Sequence, residues 1–93
     1  QYASEVLQHP GRVVVDFYAD WCGPCRAIAP LLERFADQYA ESVKVVKIDA
    51  DAAEDLSREL NVMKIPTLIS YRDGKEVARA VFPRSMEALE ELI

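Results

Sequence analysis

The 93-residue sequence contains two cysteines, Cys22 and Cys25, set three apart in the string Trp21-Cys22-Gly23-Pro24-Cys25. Sulfur at this spacing can bind a metal, staple the chain or exchange electrons. A closed zinc site needs four ligands, and His9, the only histidine, lies far from the pair in sequence. A zinc or iron–sulfur centre would therefore need ligands from a second chain. As a staple the pair is weak, because stabilisation grows with the length of the loop closed and this loop is tiny. Dithiol–disulfide exchange is the favoured reading, and a CxxC near a βαβ pattern is a redox signal in its own right.

Exchange needs a thiolate with a second thiol in reach. Cys22 follows an apolar run and precedes a helical pattern whose first turn carries Pro24, a residue suited to that position because its missing N–H would have had no partner. Unpaired backbone N–H groups and the positive end of the helix dipole both favour S⁻ at such a place. Lowering a thiol pKa from about 8.5 to about 7 takes only ~2 kcal/mol, yet raises the thiolate fraction at neutral pH from a few per cent to roughly half. Helical residues three apart have Cβ atoms about 5–6 Å from one another, and a disulfide needs about 3.5–4.5 Å, so a small adjustment closes the ring. Cys22 is thus the expected nucleophile, and Cys25, one turn in, the more buried resolving thiol. Gly23-Pro24 adds no donor or charge to stabilise the thiolate further, which favours a reductant over a strong oxidant.

The elements that would hold this pair can be read from periodicity. Tyr2 to Gln8 predicts a short helix ended by Pro10-Gly11. Arg12 to Tyr18 (RVVVDFY) is apolar on both faces apart from Asp16, the pattern of a central strand covered by helices on both sides. From Pro24 to Ala40, Ile28, Leu31, Leu32, Phe35, Ala36 and Tyr39 recur at helical spacing, with Pro30 expected to kink the helix rather than end it. Val43 to Ile48 is the next strand. Asp51 is the expected cap of a helix to Leu60, with Glu54 completing a capping-box spacing. Thr67 to Tyr71 and Glu76 to Val81 are strands joined by an Asp73-Gly74 hairpin, and Ser85 opens a last helix carrying Met86, Leu89, Leu92 and Ile93. The order is α-β-α-β-α-β-β-α: an α/β fold, with the first two strands parallel through a right-handed crossover and the last two antiparallel.

Length fits a single domain over residues 1–93. The net charge of −5 comes with scattered Lys and Arg, so no basic stripe for nucleic acid is present. No apolar run approaches the ~20 residues of a membrane span, and no signal-like segment is visible. A monomer acting in the cytoplasm is the expectation. His9, beside Pro10-Gly11, reads as an exposed loop residue without a functional signal, and Met63 and Met86 carry none either.

Beyond the cysteines, Val15-Asp16-Phe17, Ala19-Asp20-Trp21-Cys22-Gly23-Pro24-Cys25-Arg26, Ala29-Pro30, Lys47-Ile48-Asp49, Ile65-Pro66-Thr67 and Asp73-Gly74 occur in order along the chain. In these strings the sequence resembles the thioredoxin family. The resemblance implies the thioredoxin fold, a central mixed sheet of about four strands with helices on both faces, and a strand ahead of the first helix that is either absent or lies outside these residues. It implies Cys22 as nucleophile, Cys25 as resolving thiol and Asp16 as the carboxylate that exchanges a proton with Cys25 through water. A buried carboxylate has its pKa raised by desolvation, which suits that role; the lesser alternative is a strand Asp satisfied by hydrogen bonds alone. Lys47 matches a residue that pairs with this carboxylate, although a strand lysine is also an ordinary edge residue. Pro66 matches a cis-proline facing the disulfide, and the Ile65 backbone would pair with an extended substrate segment. Trp21, Gly23 and Pro24 would border the substrate groove, with Trp21 shielding the thiols unless it is a core residue. Where the family presents a glycine beside that groove, this sequence aligns Phe82, followed by Pro83.

The resemblance further implies protein disulfides as substrates, no bound cofactor or metal, and electrons from NADPH through a separate thioredoxin reductase. Two rivals stand beside this reading. An oxidase or isomerase on the same fold would differ in redox potential, and a binding domain of a longer protein would leave the thiols idle.

Overall fold

In the computed structural model, which describes residues 2–93, Arg12–Tyr18 forms a strand (β1) whose inner residues Val13 to Phe17 are all buried. Buried on both faces, it lies inside the sheet. Val43–Asp49 (β2) pairs with it in parallel and Thr67–Arg72 (β3) antiparallel, while Lys75–Val81 (β4) flanks β3, giving the order β2-β1-β3-β4. Helices Gly23–Gln38 (α1), Glu54–Glu59 (α2) and Met86–Glu90 (α3) complete the fold. The mixed sheet and its parallel β1–β2 crossover are those the sequence predicts.

Alternation along β1 divides the core in two. Val14 faces α1 and α3, in a cluster with Ile28, Leu32 and Phe35 of α1 and with Leu89 and Leu92. Val13, Val15 and Phe17 face the other way, against Val6, Tyr71, Leu56 of α2 and Leu60 just beyond its end. Burying such side chains contributes roughly 1.5–3 kcal/mol each. Asp16 shares the parity of Val14, so it faces α1, the helix that carries Cys25.

Several elements differ from expectation. Ala3–Leu7 is a single π-type turn instead of an α-helix; a segment this short takes its conformation from packing, here of Val6, rather than from propensity. Helix α1 continues through Pro30 but ends at Gln38, where the Tyr39 carbonyl accepts from Ser42 and Val43 and starts the turn into β2. Asp51 does not cap α2. The chain first makes tight turns, with Asp51 N–H on Asp49 Oδ1 and Ala53 N–H on the Ala50 carbonyl, so the helix begins only at Glu54 with Ala53 as an unassisted cap. Ser85 caps α3 as expected, its Oγ accepting from Ala88 N–H at 3.1 Å. His9 is half-buried, in a shallow cleft formed with Ala40 to Lys44.

The β3–β4 hairpin turns at Asp73 (φ 51°) and Gly74 (φ 84°), the left-handed pair that such two-residue loops require. Asp73 Oδ1 accepts from Gly11 N–H at 2.8 Å, and Gly11 O accepts from Asp73 N–H at 2.9 Å. A Cβ on Gly74 would lie 2.4 Å from the Leu7 carbonyl oxygen. Gly74→Ala therefore meets both backbone strain and a collision with main chain, and it should destabilise the fold by about 2 kcal/mol or more, read as a lower urea midpoint.

Candidate active site

The end of β1 delivers the cysteines. After Tyr18 the chain buries Ala19, whose carbonyl accepts from Cys22 N–H at 3.1 Å, and then enters α1. Cys22 is the N-cap of that helix in extended conformation, and its Sγ accepts from the Cys25 N–H at 3.1 Å. The cap that a serine or aspartate oxygen would ordinarily supply is here a sulfur atom. Cys22 and Cys25 form a disulfide with Cα atoms 5.2 Å apart. The expectation that Cys25 is the more buried does not hold in this oxidised form, where Cys22 is 3% exposed and Cys25 7%. The reason is local packing: Cys22 lies in a small cluster with Ala19, Cys25, Tyr18 and Ile65.

Opposite the disulfide, the Ile65–Pro66 peptide is cis, and the Ile65 carbonyl oxygen is 3.8 Å from Cys22 Sγ. Gly23 and Pro24 are exposed beside it. Trp21 is 67% exposed, which excludes a core role, and its indole N–H donates to Asp51 Oδ2 at 2.6 Å. Phe82 completes this end of the molecule. Its backbone is left-handed (φ 54°), its N–H donates to the Pro66 carbonyl at 3.0 Å, and its ring borders an apolar cleft of about 410 Å³ that reaches Pro24 and Pro66.

Asp16 is 3% exposed and its Oδ1 has no hydrogen-bond partner. Burial pushes its carboxyl up to about 6, against a smaller opposing pull from Lys47. Lys47 is the register partner of Asp16 on β2, yet it forms no ion pair with it; the ammonium stands 4.9 Å over the Tyr18 ring, on the exposed edge of the sheet. There it keeps its hydration, which burial beside Asp16 would remove. The lysine thus acts on the carboxyl through its field alone. Among the described residues, no group of three or more His, Cys, Asp and Glu side chains is placed to hold a metal ion.

The structure therefore gathers Cys22, Cys25, Trp21, Gly23, Pro24, Ile65, Pro66 and Phe82 at one end of the sheet, with Asp16 beneath and Lys47 to the side. Sequence reasoning missed Asp51 as the acceptor for Trp21, because its position before α2 marks it equally well as a helix cap. The left-handed backbone of Phe82 was also invisible, since nothing about a phenylalanine signals it.

Comparison with known proteins supplies the relationship. A family-wide sequence model described as Thioredoxin matches residues 1–93. The chain is 44% identical over 86 residues to Thioredoxin C-2 of Corynebacterium nephridii, covering 90% of this chain and 80% of that protein. It is 46% identical over 81 residues to Thioredoxin-2 of Saccharomyces cerevisiae, covering 87% and 77% respectively. The structure is similar to that of mitochondrial Thioredoxin 3 from S. cerevisiae in its oxidized form, with TM-score 0.83 at 33% identity over 91% of this chain and 78% of that one.

The unpaired burial of Asp16 has a measurable thermodynamic signature. Its folded pKa of about 6 lies above the ordinary 3.8, so the folded state binds the proton more tightly than the unfolded chain. The group carries no penalty below the ordinary value, loses stability progressively between the two, and reaches its full cost above the folded value. Asp16→Asn removes that cost, so the variant should gain stability relative to the parent by about 2 kcal/mol on going from pH 4 to pH 8. Urea titrations of both proteins at the two pH values give this difference.

Proposed function

Because this chain belongs to the thioredoxin family and is a thiol–disulfide reductase with a redox-active cysteine pair, we propose that it draws electrons from NADPH through a thioredoxin reductase and delivers them to protein disulfides in a reducing compartment such as the cytoplasm. The observation that carries the direction of electron flow is the cap at Cys22. Its sulfur is held by one backbone N–H at a helix N-terminus, with no cationic or side-chain donor in the Gly23-Pro24 interior. That arrangement favours the thiolate enough for attack without making the reduced form so stable that the protein becomes an oxidant.

The reaction then follows from the placement of groups. An extended substrate segment lies along the Ile65 backbone, which brings its disulfide to Cys22. The Cys22 thiolate attacks one substrate sulfur, a mixed disulfide forms, and the other sulfur leaves as a thiolate. Cys25 gives its proton to the Asp16 carboxylate by way of water and attacks Cys22 Sγ. The second substrate thiolate leaves, the protein keeps the Cys22–Cys25 disulfide, and the substrate has gained two electrons. A carboxyl that titrates at about 6 accepts a proton at neutral pH and returns it readily. Lys47, through its field, keeps that value from rising further.

Four measurements test this reading. NADPH, a thioredoxin reductase and this protein together should reduce insulin disulfides, and Cys22→Ser should abolish that; no NADPH consumption with the intact protein would defeat the reductase connection. The Cys22–Cys25 potential should fall near about −270 mV, the value characteristic of thioredoxins, whereas one near about −180 mV would mark an isomerase. Cys25→Ser should trap a mixed disulfide through Cys22, and Asp16→Asn should slow turnover about tenfold or more at pH 7 and much less at pH 9, where hydroxide takes over proton removal; an unchanged pH–rate profile removes Asp16 from the mechanism.

A further inference from the structure

The cleft beside the disulfide has two walls. One is a stripe of α1, with Pro24, Ala27 and Leu31 on a single helical face; the other is formed by Pro66 and Phe82, with Arg84 also lining the cleft. Pro24 and Ala27 are exposed and Leu31 is half-buried, so this face of α1 is open along the cleft.

Phe82 makes the cleft informative. A left-handed backbone at φ 54° is free to glycine and costs a side-chain-bearing residue energy. The residue is 37% exposed, so this cost is not offset by full burial in the core. What the ring does supply is apolar surface to an open cleft, and strained backbone retained at such a place points to recognition. The cleft is also continuous with the redox site. Pro24 and Pro66 border both, Phe82 N–H is bonded to Pro66 O, and the Ile65 carbonyl is 3.8 Å from Cys22 Sγ. A polypeptide laid along Ile65 with its sulfur at Cys22 therefore carries a neighbouring side chain over Pro66 and toward this space. With Arg84 its sole charged lining residue and a volume of about 410 Å³, the cleft has room for the largest apolar side chains.

We propose that Phe82 and the open face of α1 form a side-chain pocket that selects protein disulfides flanked by a large apolar residue. The proposal rests on the reductase reading above and adds a substrate class to it.

The test uses two disulfide-bonded peptides that differ only in having leucine or serine next to the cysteine that Cys22 attacks. For the unmodified protein, kcat/KM should favour the leucine peptide by about tenfold, the gain expected from partial burial of one such side chain. Phe82→Gly removes one wall, and Ala27→Glu places a carboxylate in the other; in each variant the ratio of the two peptides should fall toward one. Because each variant is read as a ratio, changes in its overall rate do not enter. A ratio near one in the unmodified protein, or a tenfold ratio that survives in both variants, overturns the pocket. Failure to reduce either peptide overturns the reductase reading itself and the pocket with it.

Discussion

A single hydrogen bond between the Cys25 N–H and Cys22 Sγ organises the functional end of this molecule. It makes the reactive sulfur the cap of its own helix, so the same few atoms that start α1 also set the chemistry. The geometry follows from what precedes it. Strand β1 is buried on both faces and cannot slide without exposing Val13, Val14, Val15 and Phe17. Its end is therefore a fixed point, and the turn through Ala19 places Cys22 in one position relative to the Ile65 carbonyl. Rigidity in the sheet becomes precision at the sulfur.

Asp16 shows the cost of that arrangement. It occupies the core face of the same strand with one oxygen unpartnered, and burial raises its pKa to about 6. A neutral side chain there would carry no cost of ionisation. A carboxyl kept at this depth gives the second cysteine a base near neutral pH, at the expense of stability once it ionises. Lys47 moderates the effect from the sheet edge, close enough for its field to be felt and far enough to remain hydrated against Tyr18.

Much of this was legible in the residues. Strand β1 was readable because seven consecutive side chains leave no amphipathic alternative, and the hairpin because Asp73-Gly74 suits a left-handed turn. The CxxC declared its chemistry through its place between a strand and a helix. Elements shorter than two turns were less legible. Ala3–Leu7 and the start of α2 are decided by packing and by turns at Asp49 and Ala50 that compete with capping. Side-chain pairings between distant segments were beyond reach: Asp51 fits a cap or a partner for Trp21 with equal chemical sense, and only the fold chooses. The comparable burial of the two cysteines likewise depends on Ile65, which is distant in the chain and brought to them only by the fold.

The clasp between Gly11 and Asp73 and the approach of Leu7 to Gly74 lie at the opposite pole of the sheet from the disulfide, and Tyr2 is held there too, by its hydroxyl contact with Tyr71. A tether attached at the Asp73-Gly74 turn would leave from the back of the molecule. Grafted in that way onto a bead or an electrode, the protein would stand with its sulfurs toward the solution, oriented by its own architecture instead of by the chemistry of the support.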